Sequence, residues 1–197
     1  METIVIIGAG ASGLACMNEL VKTNKYNIIV LEQSNKAARK IHASGNGRCN
    51  VSNLNMDIKY YNHQDPLIEK LIKEFDVVNF FKQLSLKLRY EKNLVYPYSL
   101  SSLSVKNALM KNMDNVSYID NCEVLAIKKA KTYEIVTTNG HYQADKIVIA
   151  TGSPASHLSG QNNLKMLEKM HISMIPFTPS LVQVKTKPVF KVLKGQR

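Results

Sequence analysis

Tryptophan is absent from this chain and cysteine is scarce, with Cys16, Cys49 and Cys122 far apart. An odd, scattered set excludes a disulfide framework, and no CxxC pair is present for zinc or dithiol chemistry. With 9 glycines and 6 prolines among 197 residues, the chain is neither collagen-like nor low-complexity. Its 45% hydrophobic content sets it apart from disordered sequences. No apolar run approaches the roughly 20 residues of a membrane helix. The opening METIVIIGAG carries neither a basic lead nor a small-residue cleavage site, so no signal peptide is expected. The length suits one domain with part of a second. The expectation is a soluble, cytoplasmic protein.

Acidic residues are the other shortage. Against 26 Lys and Arg stand 15 Asp and Glu, giving a formal charge of +11. Such an excess raises nucleic acid or an anionic membrane as a partner. The cations are dispersed, however, even in KKAKTY at 128–133 and in the tail KTKPVFKVLKGQR. No zinc-finger, RRM or KH signature accompanies them. A solvated basic surface is expected, with no specific nucleic acid and no membrane as partner.

What is present begins at the N-terminus. Thr3 to Ile7 form a β-branched run of the kind that makes a buried parallel strand. Gly8-Ala9-Gly10-Ala11-Ser12-Gly13 follows as GxGxxG, then Leu14, Met17, Leu20 and Val21 at helical spacing, then the apolar NIIVLE at 27–32. This is a complete βαβ unit, the context the motif requires. Gly8 permits the tight turn, Gly10 lets the backbone approach a pyrophosphate, and Gly13 allows helix and strand to pack closely. The helix N-terminus offers free N–H groups and a positive dipole end. Glu32 can accept both ribose hydroxyls and would repel a 2′-phosphate, which disfavours NADP and leaves FAD or NAD.

Residues 33–53, QSNKAARKIHASGNGRCNVSN, are polar and loop-like. Gly45 and Gly47 allow close backbone approach, and Arg39, Lys40 and Arg48 can neutralise phosphate charge. Further on, PLIEKLIKEF at 66–75, DVVNFFKQL at 76–84 and SVKNALMKNM at 104–113 read as helices. Leu86, Leu88 and Tyr90 suggest a strand, and LVYPYSLSS a turn. From Val116 short strands take over, with a hairpin signal at Asn139-Gly140 and an apolar strand leading to Ala150-Thr151-Gly152.

With GxGxxG at 8–13, Glu32, ARKIHASGNGRCNVSN, ATG at 150–152 and PSLVQVKT at 179–186, the chain resembles the bacterial NAD(P)/FAD-dependent oxidoreductases of the aminoacetone-oxidase type, flavoproteins with a GRCN motif. The resemblance covers essentially the whole chain. It implies an α/β fold: a glutathione-reductase-like Rossmann FAD-binding domain with a parallel sheet, a β-meander and a helical insertion. It implies FAD as cofactor, NAD(P)H as a candidate electron donor, and a small organic molecule as substrate. The GRCN loop would lie along the flavin side, which matches Gly47, Arg48, Cys49 and Asn50. The strand at Glu123-Val124 would pass the adenine with the Val124 backbone bonding the ring, and Thr151 and Gly152 would return to the dinucleotide.

Three departures stand out. The family's GRK reads Ala38-Arg39-Lys40, its ATGG reads Ala150-Thr151-Gly152-Ser153, and a following glycine-rich segment is reduced to LSGQNN at 158–163. Members of the family are also longer. Residues 1–178 are therefore expected to form the FAD-binding domain, and 179–197 the start of an inserted substrate domain.

The candidate cofactor-binding set is Gly8, Gly10, Ala11, Ser12, Gly13, Glu32, Gln33, Arg39, Lys40, Gly45, Gly47, Arg48, Cys49, Asn50, Val124, Thr151 and Gly152. No catalytic residue is assigned. The histidines at 42, 63, 141, 157 and 171 lack metal-ligand spacing, so no metal is expected. Ser12 has no nucleophile elbow around it. Cys49 beside Arg48 has a setting that favours a thiolate, although packing is its default role. The functional expectation is an FAD-dependent oxidoreductase; the alternative is a catalytically incomplete dinucleotide-binding fragment.

Overall fold

The computed structural model describes residues 1–61, 65–153 and 162–174. The expected boundary between 178 and 179, the PSLVQVKT stretch, most of LSGQNN, His63 and His157 lie outside the described residues.

The chain opens with β1 (Glu2–Ile7), α1 (Ala11–Thr23) and β2 (Tyr26–Leu31). A short helix α2 (Arg39–His42) and a 3-10 turn at Ser44–Gly47 lead to β3 (Ser52–Asn53). Next come α3 (Pro66–Glu74), α4 (Val77–Gln83), the hairpin β4 (Leu88–Glu91) and β5 (Leu94–Pro97), and α5 (Ser102–Leu109). The remainder is β6 (Ser117–Ile119), the meander β7 (Val124–Lys129), β8 (Tyr133–Thr137) and β9 (Gly140–Ala144), then β10 (Lys146–Ile149) and α6 (Asn162–Lys169).

The central sheet has the order β10-β1-β2-β6 with every pairing parallel. Strand β1 is apolar on both faces because it is covered on both. Its Ile4 and Ile6 face a helical core with Leu14, Met17, Phe80, Phe81, Val105 and Leu109. Its Val5 and Ile7 face the meander, where Leu31, Cys122, Ile135 and Ala144 are buried. The result is three layers, with helices on one side of the parallel sheet and an antiparallel sheet on the other. A second antiparallel sheet, β3-β5-β4, follows the glycine loop.

One buried polar residue ties the helical layer together. Asn18 on α1 donates to the carbonyls of Leu14 and Leu109 at 2.7 Å each and accepts from Asn112 at 2.8 Å. Both ends of the amide are satisfied, as a fully buried side chain requires.

The expected βαβ unit, the helices α3 and α4, and the Asn139-Gly140 hairpin are present. The segment 33–53 is not all loop, since Ala38 to His42 turn into α2. Helix α5 is displaced N-terminally from the expected 104–113, because the Ser101 hydroxyl accepts the Leu103 amide and starts the helix there. The LVYP part of the expected turn is strand β5, held between β3 and β4.

Candidate functional site

The carboxyl ends of β1, β2, β6 and β10 meet at one edge of the sheet. The Gly8 amide donates to Leu31 O at 2.7 Å, Ala150 N to Ile7 O at 2.8 Å, and Glu32 N to Ile119 O at 2.9 Å. In sequence order the chain leaves β1 toward β2 on one side, while β10 closes on the other. Ligands of open α/β sheets lie in the crevice at such a reversal. A cavity of about 410 Å³ opens there, within the range of roughly 300–1,000 Å³ common for cofactor sites.

The three motif glycines serve different ends. A Cβ on Gly8, whose φ is +105°, would stand 2.6 Å from Ala150 O. A Cβ on Gly13 would stand 2.0 Å from Gly8 O. Both are demanded by the protein's own packing. Gly10 is not: its φ of −84° suits any residue, and a Cβ there would meet nothing within 4 Å. Gly10 lines the cavity, and the room beside it is left for something other than this chain.

Helix α1 points its N-terminus at that room. Gly10 caps it with no side-chain hydrogen bond, no acid lies in the first turn, and the first intrahelical bond is Leu14 N to Gly10 O at 3.0 Å. The amides of Ala11, Ser12 and Gly13 come before it, so the terminus keeps its partial positive charge for an anion.

Glu32 sits across the turn. Its Oε2 accepts the Ala9 amide at 2.8 Å, and its Oε1 accepts Ser34 N at 3.0 Å and Ser34 Oγ at 2.6 Å. Three of a carboxylate's roughly four acceptor positions are filled, which leaves one for a hydroxyl in the cavity. Burial, with the Glu32 and Asp120 charges behind it, pushes the Tyr118 phenol up to about 12.

Cations come from the segment after β2. Lys36, Arg39 and Lys40 line the cavity, and Lys40 Nζ donates to Ser153 O at 2.9 Å. The turn into α2 is held by Ala38, whose amide donates to Ala9 O at 2.8 Å with φ at +61°. This left-handed backbone is where the resembling family carries glycine, and alanine stands there with its methyl buried.

The structure brings Gly8, Gly10, Ala11, Ser12, Glu32, Gln33, Arg39, Lys40, Val124, Thr151 and Gly152 to the cavity wall. Gly13 lies beneath the turn rather than on the wall. Gly45, Gly47, Arg48, Cys49 and Asn50 do not line this cavity. Arg48 instead places Nη2 at 2.6 Å from Glu91 Oε2 and lies over the Tyr96 ring. Cys49 is buried in the helical core, in left-handed backbone at φ +54°. Sequence reasoning missed Ser34, Lys36, Cys122, Ser153 and Met166, which also line the cavity, as does Glu123 beside Val124. Ser34 and Lys36 stood inside the segment already suspected. Met166 arrives from α6, and no local pattern links it to the turn.

The family model for the HI0933-like protein Rossmann domain matches residues 2–188. The chain belongs to that family. Its fold is the Rossmann-like FAD-binding α/β fold, as the resemblance implied. A curated relative, the 3-dehydro-bile acid delta(4,6)-reductase of Clostridium scindens, is 31% identical over 95% of this chain and 48% of its own length. The ribosomal RNA dihydrouridine synthase of Escherichia coli is 28% identical over 90% of this chain and 46% of its own. The chain thus spans about half the length of these relatives. Among solved structures, THI4 of Thermovibrio ammonificans superposes with a TM-score of 0.60 at 12% identity, covering 87% of this chain and 62% of that one. The glycine oxidase of Geobacillus kaustophilus gives 0.51 at 15% identity, covering 88% and 60%. At such identities these two likenesses concern the fold alone.

Among the described residues no helix is long and apolar enough to cross a membrane, and no group of three or more His, Cys, Asp or Glu could hold a metal.

Proposed function

We propose that this chain is the FAD-binding portion of a flavoprotein oxidoreductase acting on a small organic substrate, with NAD(P)H as electron donor. The observation that carries the cofactor assignment is Gly10. The backbone there does not need glycine and the protein leaves the space empty, so the missing side chain makes way for a ligand. An ADP-containing dinucleotide matches what surrounds it. The pyrophosphate would meet the amides of Ala11 and Ser12 at the start of α1, with Arg39 and Lys40 as counter-charges. Glu32 would accept a ribose hydroxyl with its remaining acceptor position, and its charge would exclude a 2′-phosphate. The adenine would lie along Glu123 and Val124.

When bound, the flavin supplies hydride and electron transfer; the chain's own residues orient it and set the charge around it. The reductase named among the relatives supports reduction of an organic substrate by the whole protein. Gly45, Gly47, Arg48, Cys49 and Asn50 remain candidates for the flavin end, where their loop leaves α2.

The test is the purified chain's absorbance together with its melting temperature in added FAD. A yellow protein, or one raised in melting temperature by FAD and bleached by NADH or NADPH, supports the reading. A stable response to FAD with no bleaching by either nicotinamide keeps the cofactor and removes the donor. A colourless chain unmoved by FAD overturns it.

A further inference from the structure

Helix α3 has nine residues, and none of them is fully buried. A helix that short is marginal in water, and packing of an amphipathic face is what stabilises it. Ile68 and Ile72 are half-buried and mark its inner side. The apolar pattern does not end there. Leu67, Leu71 and the C-cap Phe75, spaced four apart, are 63%, 55% and 46% exposed. Tyr60, in the 3-10 turn Ile58–Tyr60 packed beside the helix, is open as well. A continuous apolar stripe edged by polar side chains marks an interaction surface, unlike apolar residues scattered singly.

The charge on α3 indicates what covers it. The whole chain carries +11, so two copies repel over most of their surfaces. From 65 to 76 the balance reverses, with Asp65, Glu69, Glu74 and Asp76 against Lys70 and Lys73. Lys73 Nζ is taken by Glu69 at 2.6 Å, whereas Lys70 and Glu74 stand 4.0 Å apart with both side chains 64% exposed. These two lie three residues on from Leu67 and Leu71, so they edge the stripe.

We infer that α3 docks on α3 of a second copy of this chain, antiparallel about a two-fold axis level with Ile72. That axis sets Lys70 of each chain beside Glu74 of the partner subunit, so the flank supplies its own complement twice. Leu67, Leu71 and Phe75 of the two copies interleave between these pairs. A contact made by the same patch on both chains closes at two and leaves nothing to propagate. One helix face covers less than the roughly 800 Å² per partner of a standard interface, so the association is micromolar rather than tight. The inference stands apart from the cofactor assignment, because none of these residues lines the cavity.

The experiment is sedimentation equilibrium of the full chain over a concentration series, with FAD response and melting temperature followed in parallel. The parent chain should pass from monomer to dimer. Leu67→Gln/Leu71→Gln should raise the dimer dissociation constant more than about 100-fold, since apolar contact is lost from both copies. The melting temperature of that variant at high dilution should hold, because both leucines face water in the monomer. Lys70→Glu and Glu74→Lys should each weaken the dimer about 10-fold by setting like charges together. An equimolar mixture of those two variants should dimerise as the parent does, because each presents the complement of the other. A chain still monomeric at about 100 μM leaves the stripe to a different partner and overturns the inference. Assemblies larger than two, a dimer that Leu67→Gln/Leu71→Gln leaves intact, or a mixture no tighter than its components would each overturn it as well.

Discussion

Glu32 accepts the Ala9 amide at 2.8 Å, so the acid that follows β2 is fastened to the glycine turn that follows β1. The same carboxylate holds Ser34 through two further bonds. Glu32 is therefore a structural brace before any ligand arrives. Glu32→Gln keeps the shape but turns one acceptor into a donor facing an N–H. We expect a loss of about 1–2 kcal/mol in stability and about 10-fold weaker FAD binding, read by melting and by flavin titration. Unchanged values for both would show that the brace is unimportant.

The Tyr118 phenol gives a pH signature of the same carboxylate. Its pKa rises to about 12 through burial first and the Glu32 charge second. A phenol protonated more tightly in the folded state adds stability that is complete below the unfolded pKa near 10 and lost as pH climbs toward 12. The melting temperature should fall across that window, and Tyr118→Phe should flatten the fall. In Glu32→Gln the Tyr118 titration, followed by ultraviolet absorbance, should move down but stay above the ordinary tyrosine value, because burial remains.

Lys40 tests the electrostatics of the cavity. Its ammonium holds Ser153 O at 2.9 Å on the exposed side of the site. Lys40→Met should change stability by less than about 0.5 kcal/mol. It should weaken FAD about 10-fold at low salt, with a smaller deficit at high salt where exposed charges are screened. A deficit independent of salt would indicate a packing role instead.

The sequence made the site legible only where its logic is local. The strand, the GxGxxG turn, the helix and Glu32 lie within one βαβ unit, so spacing alone was informative. The glycine loop at 44–50 was different. Its composition suggested a ligand, but Arg48 is claimed by Glu91, 43 residues away, and no local pattern reveals such a pairing. Short strands were legible from Val116, and β6 begins just beyond it, but its place beside β2 is decided by the sheet rather than by its own propensity. Ala38 shows the converse. The missing family glycine was visible in the sequence, yet only the structure shows an alanine held at φ +61° by its bond to Ala9.

The central claim is that Gly10 is glycine for the sake of a dinucleotide, and comparing Gly10→Ala with Gly13→Ala tests it most directly. A methyl on Gly13 would press on Gly8 O at 2.0 Å, so that variant should lose more than about 3 kcal/mol or fail to fold. A methyl on Gly10 meets no protein atom, so Gly10→Ala should melt within about 1 kcal/mol of the parent chain. The measurement is FAD binding by the folded Gly10→Ala chain. The account predicts that the thermal response to FAD disappears while the fold stands; a Gly10→Ala chain that binds FAD as the parent does would contradict it.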